Sequence, residues 1–111
     1  MPEMWVLVMR LDLAIPGARS LKDRRQVVRS LKDRLGARFN VACAEVGRLD
    51  SWMRASLGVT AVSNEREHLR ELAGEVERYA RRDAGAAVGQ VAKELFHYDA
   101  SEPPADAADE S

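Results

Sequence analysis

The spacing of the apolar residues changes along the chain in an order that restricts the fold more than any other feature. Trp5, Leu7, Met9, Leu11 and Leu13 occupy every second position, as in a strand with one buried face. Helical spacing follows, then two further alternating stretches, a second helical stretch and a last strand whose alternation is blurred. The predicted elements are a strand over residues 4–13, a helix over 20–35, strands over 38–46 and 52–62, a helix over 64–83 and a strand over 87–98.

The order of these elements predicts an α+β domain. A βαββαβ order with short connections is the pattern of ferredoxin-like folds. Right-handed crossovers place both helices on one face of a four-stranded antiparallel sheet, which leaves the other face open. A chain of 111 residues fits one domain of this kind. We therefore expect one domain over residues 1–99 and a disordered acidic tail, ASEPPADAADES, over residues 100–111.

The pentapeptide SLKDR occurs twice in the first helical stretch, at Ser20 and at Ser30. Ten residues of helix separate the copies, which offsets them by about 80° around the helix axis. The copies therefore do not present equivalent faces, and the spacing is too short for a repeat architecture. We interpret the stretch as one amphipathic helix that Ser20 caps and that ends near Gly36.

Charge is distributed unevenly, although the net charge is only −1 at pH 7. Residues 10–38 hold nine basic side chains and three acidic ones, whereas residues 64–111 hold six basic and twelve acidic ones. The basic stripe of the first helix extends about 15 Å, a length that suits contact with several phosphates. An ordinary solvated helix face is the alternative. The predicted nucleic-acid-binding residues are Arg19, Lys22, Arg24, Arg25, Arg29 and Lys32.

Arg24 is the exception in this set because its position falls inside the apolar stripe of the helix. We expect its aliphatic stem to pack against the core while its charged head emerges at the N-terminal end of the helix.

The open face of the predicted sheet has a polar end and an apolar end. Arg10, Trp52 and Arg54 are the predicted sheet-face binding residues, suited to stacking on a base or to contact with a phosphate. The alternative is a tryptophan that covers the bare sheet or fills a dimer interface. Met4, Val6 and Val8 would leave an apolar patch, which usually marks a partner surface.

Catalysis finds little support in the sequence. His68 and His97 are the only histidines, and neither belongs to a recognisable triad or metal-binding spacing. No phosphate-binding loop or dinucleotide-binding motif is present. Cys43, the only cysteine, is expected to be a buried inert thiol, and its solitary occurrence favours a reducing, cytoplasmic setting. We predict no catalytic residue, metal, cofactor, small-molecule substrate or membrane segment.

Several short runs resemble the YlxP-like family of small bacterial proteins, also described as domain of unknown function 503. The runs are SLKDRRQVVRSLKDR at 20–34, FNV at 39–41, AEV at 44–46, DSWMRASLG at 50–58 and VSN at 62–64. The resemblance spans roughly residues 4 to 98. It implies a ferredoxin-like domain without established enzyme activity, from genes that often lie among those for translation and ribosome maturation.

Two functional hypotheses follow. The first is a non-enzymatic factor that binds RNA or a ribosomal subunit through the basic first helix and the open sheet face. The second is a homodimeric protein-interaction module that uses the apolar open face.

Overall fold

A computed structural model describes residues 3–47, 51, 53–82 and 85–99. The acidic tail predicted over residues 100–111 lies outside the described residues. The element order is βαββαβ, as the sequence predicts. The elements are β1 (Glu3–Ala14), α1 (Leu21–Arg38), β2 (Ala42–Val46), β3 (Arg54–Ser63), α2 (Arg66–Arg81) and β4 (Ala87–Asp99).

The four strands form one sheet in the order β2-β3-β1-β4, and all neighbouring pairs are antiparallel. β1 is central, with Leu7 opposite Ala61 of β3 and Leu95 of β4. Leu7, Met9 and Leu11 are at most 1% exposed. The odd-numbered residues of β1 therefore face the core, and the even-numbered ones lie on the open face.

Both helices contribute to the same core as the odd-numbered side of β1. α1 supplies Val28, Leu31 and Leu35, and α2 supplies Leu69 and Val76, all at most 2% exposed and all in one cluster. Because a single apolar cluster joins both helices to one side of the sheet, the predicted ferredoxin-like α+β fold is confirmed.

The N-terminus of α1 is capped as the sequence predicts. The Asp23 backbone N–H donates to Ser20 Oγ at 3.1 Å, and the Arg19 backbone N–H donates to Asp23 Oδ2 at 3.0 Å. The two side chains thus satisfy backbone donors on either side of the helix start.

We expect Ser20→Ala to lower the free energy of unfolding by about 1 kcal/mol, since the cap acceptor is lost. Ser30→Ala is the matched control, because it removes the same hydroxyl from the second SLKDR copy at an exposed position inside α1. Alanine has the higher helix propensity, so this control should be neutral or slightly stabilising. Urea unfolding of both variants is the measurement, and equal effects would contradict the capping role.

α1 ends three residues later than the sequence predicts. Gly36 and Ala37 lie within the helix, and Phe39 closes it by donating its backbone N–H to the Leu35 carbonyl at 2.9 Å. The Phe39 ring packs edge-on against Tyr79 of α2, with ring centroids 5.8 Å apart. This tertiary contact favours one more helical turn, so β2 begins at Ala42 and not near residue 38.

Candidate nucleic-acid interface

α1 presents a row of exposed cations. We name Arg19, Lys22, Arg25, Arg29 and Lys32 the α1 basic face; all five side chains are exposed. Among the described residues, no carboxylate forms a salt bridge with any of them. Asp23 accepts a hydrogen bond from the Arg19 backbone N–H and forms no ion pair with the side chains of the row. The face is therefore a concentrated positive surface.

The cations around α2 differ because several of them are already paired. Arg70 forms an ion pair with Glu67, one turn away on the same helix. Lys93 Nζ lies 2.8 Å from Glu77 Oε1, and Arg81 Nε lies 3.1 Å from Glu77 Oε2. Hydrogen bonds from Lys93 and, to a smaller extent, from Arg81 lower the pKa of Glu77. The contrast marks the α1 basic face as the side of the molecule best suited to an anionic partner.

The expectation for Arg24 is wrong. Its side chain is 1% exposed, and its head forms an ion pair with Glu45 of β2 instead of emerging into solvent. β2 places Glu45 on its helix-facing side, next to Cys43 in the alternation, so the carboxylate meets the inner side of α1. Buried and engaged in this way, Arg24 is not accessible to a phosphate.

Glu45, the partner of Arg24, was missed by the sequence analysis. The sequence did contain a signal for this pair. Glu45 is a charged residue on the otherwise apolar side of a strand, and Arg24 is a charged residue in the apolar stripe of a helix, so each needs a partner of opposite charge. Only the packing of α1 against β2 shows that the two charges meet.

A groove of about 270 Å³ runs between α1 and β2. Its lining combines three members of the α1 basic face with Val28 of the core and the buried ion pair: Arg24, Arg25, Val28, Arg29, Lys32 and Glu45. The basic face thus continues from the exposed side of the helix into a shallow depression at the β2 edge of the sheet.

Cys43 lies on the same side of β2 as Glu45 and is half-buried against the core. Burial raises the pKa of the Cys43 thiol, and nearby Lys32 partly opposes this rise. The thiolate fraction at neutral pH is therefore smaller than that of a free cysteine, which agrees with an inert thiol.

We expect Cys43 to react with iodoacetamide more slowly than a cysteine in an unstructured peptide at neutral pH. The pH–rate profile should have its inflection above that of the free thiol, because the folded-state pKa is raised. Lys32→Gln should move the inflection further up, whereas Arg25→Gln should not. An inflection below that of the peptide would contradict this environment.

The polar end of the open face contains Arg10 and Arg54, as predicted. Arg10 Nε donates to Asp12 Oδ1 at 3.1 Å, and Ser56 Oγ donates to the same oxygen at 2.9 Å. Arg10 and Arg54 line one groove of about 670 Å³, although Arg54 lies opposite Ala14, four residues along β1 from Arg10. Trp52, the aromatic member predicted for this cluster, lies outside the described residues.

The apolar end of the open face is larger than the sequence predicts. Val8 is 44% exposed, and three side chains from neighbouring strands extend the patch: Val62 at 60%, Phe96 at 41% and Tyr98 at 46%. Met4 and Val6 complete it and are half-buried. The additional members were missed because only the strand register shows which residues of β3 and β4 lie beside β1.

Within residues 3–47, 51, 53–82 and 85–99, no cluster of three or more His, Cys, Asp or Glu side chains is arranged to hold a metal ion. His97 contacts the Glu3 carboxylate and packs in a T-shaped arrangement with the Trp5 ring. None of the described helices has the length and apolar character needed to cross a bilayer.

Fold and surface together define a ferredoxin-like α+β domain with a basic helix on one side and a bare sheet on the other. Residues 6–93 match the family described as "Protein of unknown function (DUF503)", and the chain belongs to that family. This confirms the resemblance seen in the sequence.

Two similarities bear on this assignment. The chain is 43% identical over 55 residues to "Uncharacterized protein YlxP" of Bacillus subtilis (strain 168). The match covers 50% of this chain and 60% of that relative. "De novo designed protein Foldit4" superposes with a TM-score of 0.50 at 12% identity, over 85% of this chain and 97% of the designed one. At that identity the likeness concerns the fold alone.

Proposed function

We propose that this protein is a non-enzymatic RNA-binding factor that docks on structured RNA, with a ribosomal subunit as the first candidate partner. The α1 basic face carries the proposal: five exposed cations lie on and just before one helix, without a carboxylate partner among the described residues. An RNA duplex presents phosphates in rows, and Lys and Arg side chains along a helix meet several of them at once.

The proposed contact is to the phosphate backbone and carries little sequence specificity. Among the described residues, the α1 side holds cations but few exposed aromatic side chains, and stacking of unpaired bases relies on aromatics. Phe39 and Tyr79 are engaged with each other near the end of α1. We therefore expect a preference for folded RNA over unstructured single strands.

The α1 basic face and the open sheet face lie on opposite sides of the sheet, because both helices pack on one side of it. A single RNA helix would contact one of the two faces and not both. We assign the RNA to α1 and the open face to a different partner. The hypothesis drawn from the sequence had assigned both surfaces to RNA or a ribosomal subunit.

Co-sedimentation with purified ribosomal subunits and binding to an RNA hairpin, each over a series of salt concentrations, test the proposal. Phosphate-driven binding should weaken steeply with salt, with a log–log slope set by the number of phosphates neutralised. With about four such contacts the slope should be about −3 to −4. Absence of binding at low salt, or binding that does not respond to salt, would overturn the proposal.

A second candidate function is protein interaction through the open sheet face. The exposed apolar patch formed by Val8, Val62, Phe96 and Tyr98 favours it, since contiguous patches of this kind usually mark partner surfaces.

A further inference from the structure

The apolar end of the open face is ordered in rows by the register of three strands. Val6 lies opposite Val62 on β3 and Phe96 on β4, which makes one fully apolar row. Val8, Thr60 and Glu94 form the row on one side of it, and Met4 and Tyr98 form the row on the other. On β4, Phe96 is therefore flanked by Glu94 and Tyr98 at equal distances.

We propose that a second copy of this chain covers the apolar end, face to face, about a two-fold axis. The axis lies between the two sheets, perpendicular to the strands, above the row that contains Val6. Each strand then lies over the same strand of the partner and runs in the opposite direction. This inference concerns the face opposite α1 and is independent of the RNA-binding proposal.

The two-fold axis brings chemically suitable side chains together at the Val6, Val8 and Glu94 positions. The central row packs on itself, apolar on apolar. Val8 packs on Met4 of the partner subunit. Glu94, the one carboxylate of the patch, meets the hydroxyl of the partner's Tyr98, and the same contact recurs in reverse. An aromatic side chain with a polar tip suits such a contact, since its ring is buried while its hydroxyl finds an acceptor.

This self-complementarity is the reason to prefer a second copy over an unrelated protein. A carboxylate inside an apolar interface is costly unless it accepts a hydrogen bond. A second copy of the chain provides this donor. A two-fold axis at Phe96 places the Tyr98 hydroxyl of the partner subunit opposite Glu94, because the two residues lie at equal distances on either side of Phe96. An unrelated partner would have to supply that donor separately.

The size of the overlap sets the expected strength. Three rows across three strands measure roughly 20 by 15 Å, about 300 Å² in projection. Stable interfaces bury about 800 Å² on each partner, and smaller ones belong to weak or transient complexes. The polar end, with Arg10 and Arg54, lies beyond the overlap. We therefore expect a reversible dimer whose population depends on protein concentration.

Sedimentation velocity of the full chain over a concentration series tests the proposal. The wild-type protein should shift from monomer to dimer, and Val62→Lys should raise the dissociation constant at least tenfold, because two like charges then face each other across the axis. Val46→Lys is the matched control. Val46 is also an exposed valine on the open face, at 39%, but it lies outside the overlap. The Val46→Lys variant should therefore still form the dimer. A wild-type monomer throughout the series would overturn the proposal and leave this face to another protein.

A cysteine placed on the axis tests the register directly. In a Cys43→Ser background, Val6→Cys should form a disulfide-linked dimer on mild oxidation, because the two side chains face each other across the axis. Val46→Cys in the same background should remain monomeric under denaturing, non-reducing conditions. Equal cross-linking of both variants, or none at Val6→Cys, would overturn the arrangement. Reversing the charges of Arg25, Arg29 and Lys32 on α1 should leave the dimer unchanged.

Discussion

Reversing the charge of Arg25, Arg29 and Lys32 together is expected to lower the affinity for structured RNA by about a hundredfold or more at low salt. Each of these side chains is exposed and without an ion-pair partner among the described residues, so its charge is available to a phosphate. The log–log salt slope should become shallower by about 2 to 3, close to the loss of three phosphate contacts. Filter binding or fluorescence anisotropy with an RNA hairpin over a salt series measures both quantities.

The matched control reverses three cations near α2: Arg66→Glu, Arg78→Glu and Arg82→Glu. All three side chains are exposed, and the change in net charge is identical. If binding depends on the α1 basic face, this variant should retain most of the affinity. A similar loss in both variants would mean that RNA responds only to total charge, and the assignment to α1 would fail. Circular dichroism should show both variants folded.

The second large effect is expected from Glu45→Ala. Removal of this carboxylate leaves the buried Arg24 cation, 1% exposed, without its ion-pair partner on β2. Breaking a buried ion pair from one side costs about 3–5 kcal/mol. Arg24 has a further interaction besides the pair with Glu45, which favours the lower end of that range. Urea unfolding of the variant should therefore show a loss of about 3 kcal/mol in the free energy of unfolding.

Arg24→Met separates charge burial from packing. Methionine fills much of the space of the arginine stem, and the Glu45 side chain, 23% exposed, keeps access to water. The cost should be clearly smaller than that of Glu45→Ala, and Arg24→Met combined with Glu45→Ala should cost less than the sum of the two single changes. Strict additivity would argue against a coupled pair.

Local physical chemistry accounts for the part of the fold that the sequence predicted correctly. The alternation from Trp5 to Leu13 follows from the two-residue period of a strand, and the apolar stripe of α1 follows from the helical period. Ser20 was recognisable as a cap because its hydroxyl acts within three residues. These features depend on neighbours in sequence, which is why they were predictable.

The boundaries were less predictable because they depend on contacts between elements. Gly36 has the usual character of a helix end, yet α1 continues to Arg38, where the Phe39 ring meets Tyr79 of α2. Glycine inside a helix costs about 1 kcal/mol relative to alanine, which is the same order as the contribution of one aromatic pair, so the Phe39–Tyr79 contact offsets the cost of Gly36 in the helix.

The candidate sites divide in the same way. The cations Lys22, Arg25, Arg29 and Lys32 could be placed on one face by counting along a helix, with Arg19 just before it, and the structure finds all five exposed. Arg24 could not be assigned by counting, because its environment depends on a carboxylate that is 21 residues away in the chain and belongs to another element. The role of the α1 basic face in RNA binding remains a prediction.

The sequence by itself determined the order of the elements, the buried side of β1 and the basic side of α1, since each follows from the period of a single element. Only the tertiary structure decided that Arg24 is buried against Glu45 and that Val62, Phe96 and Tyr98 join Val6 and Val8 in one patch. Those outcomes depend on strand register and helix docking. Both arise from the packing of residues distant in sequence, which no local period encodes.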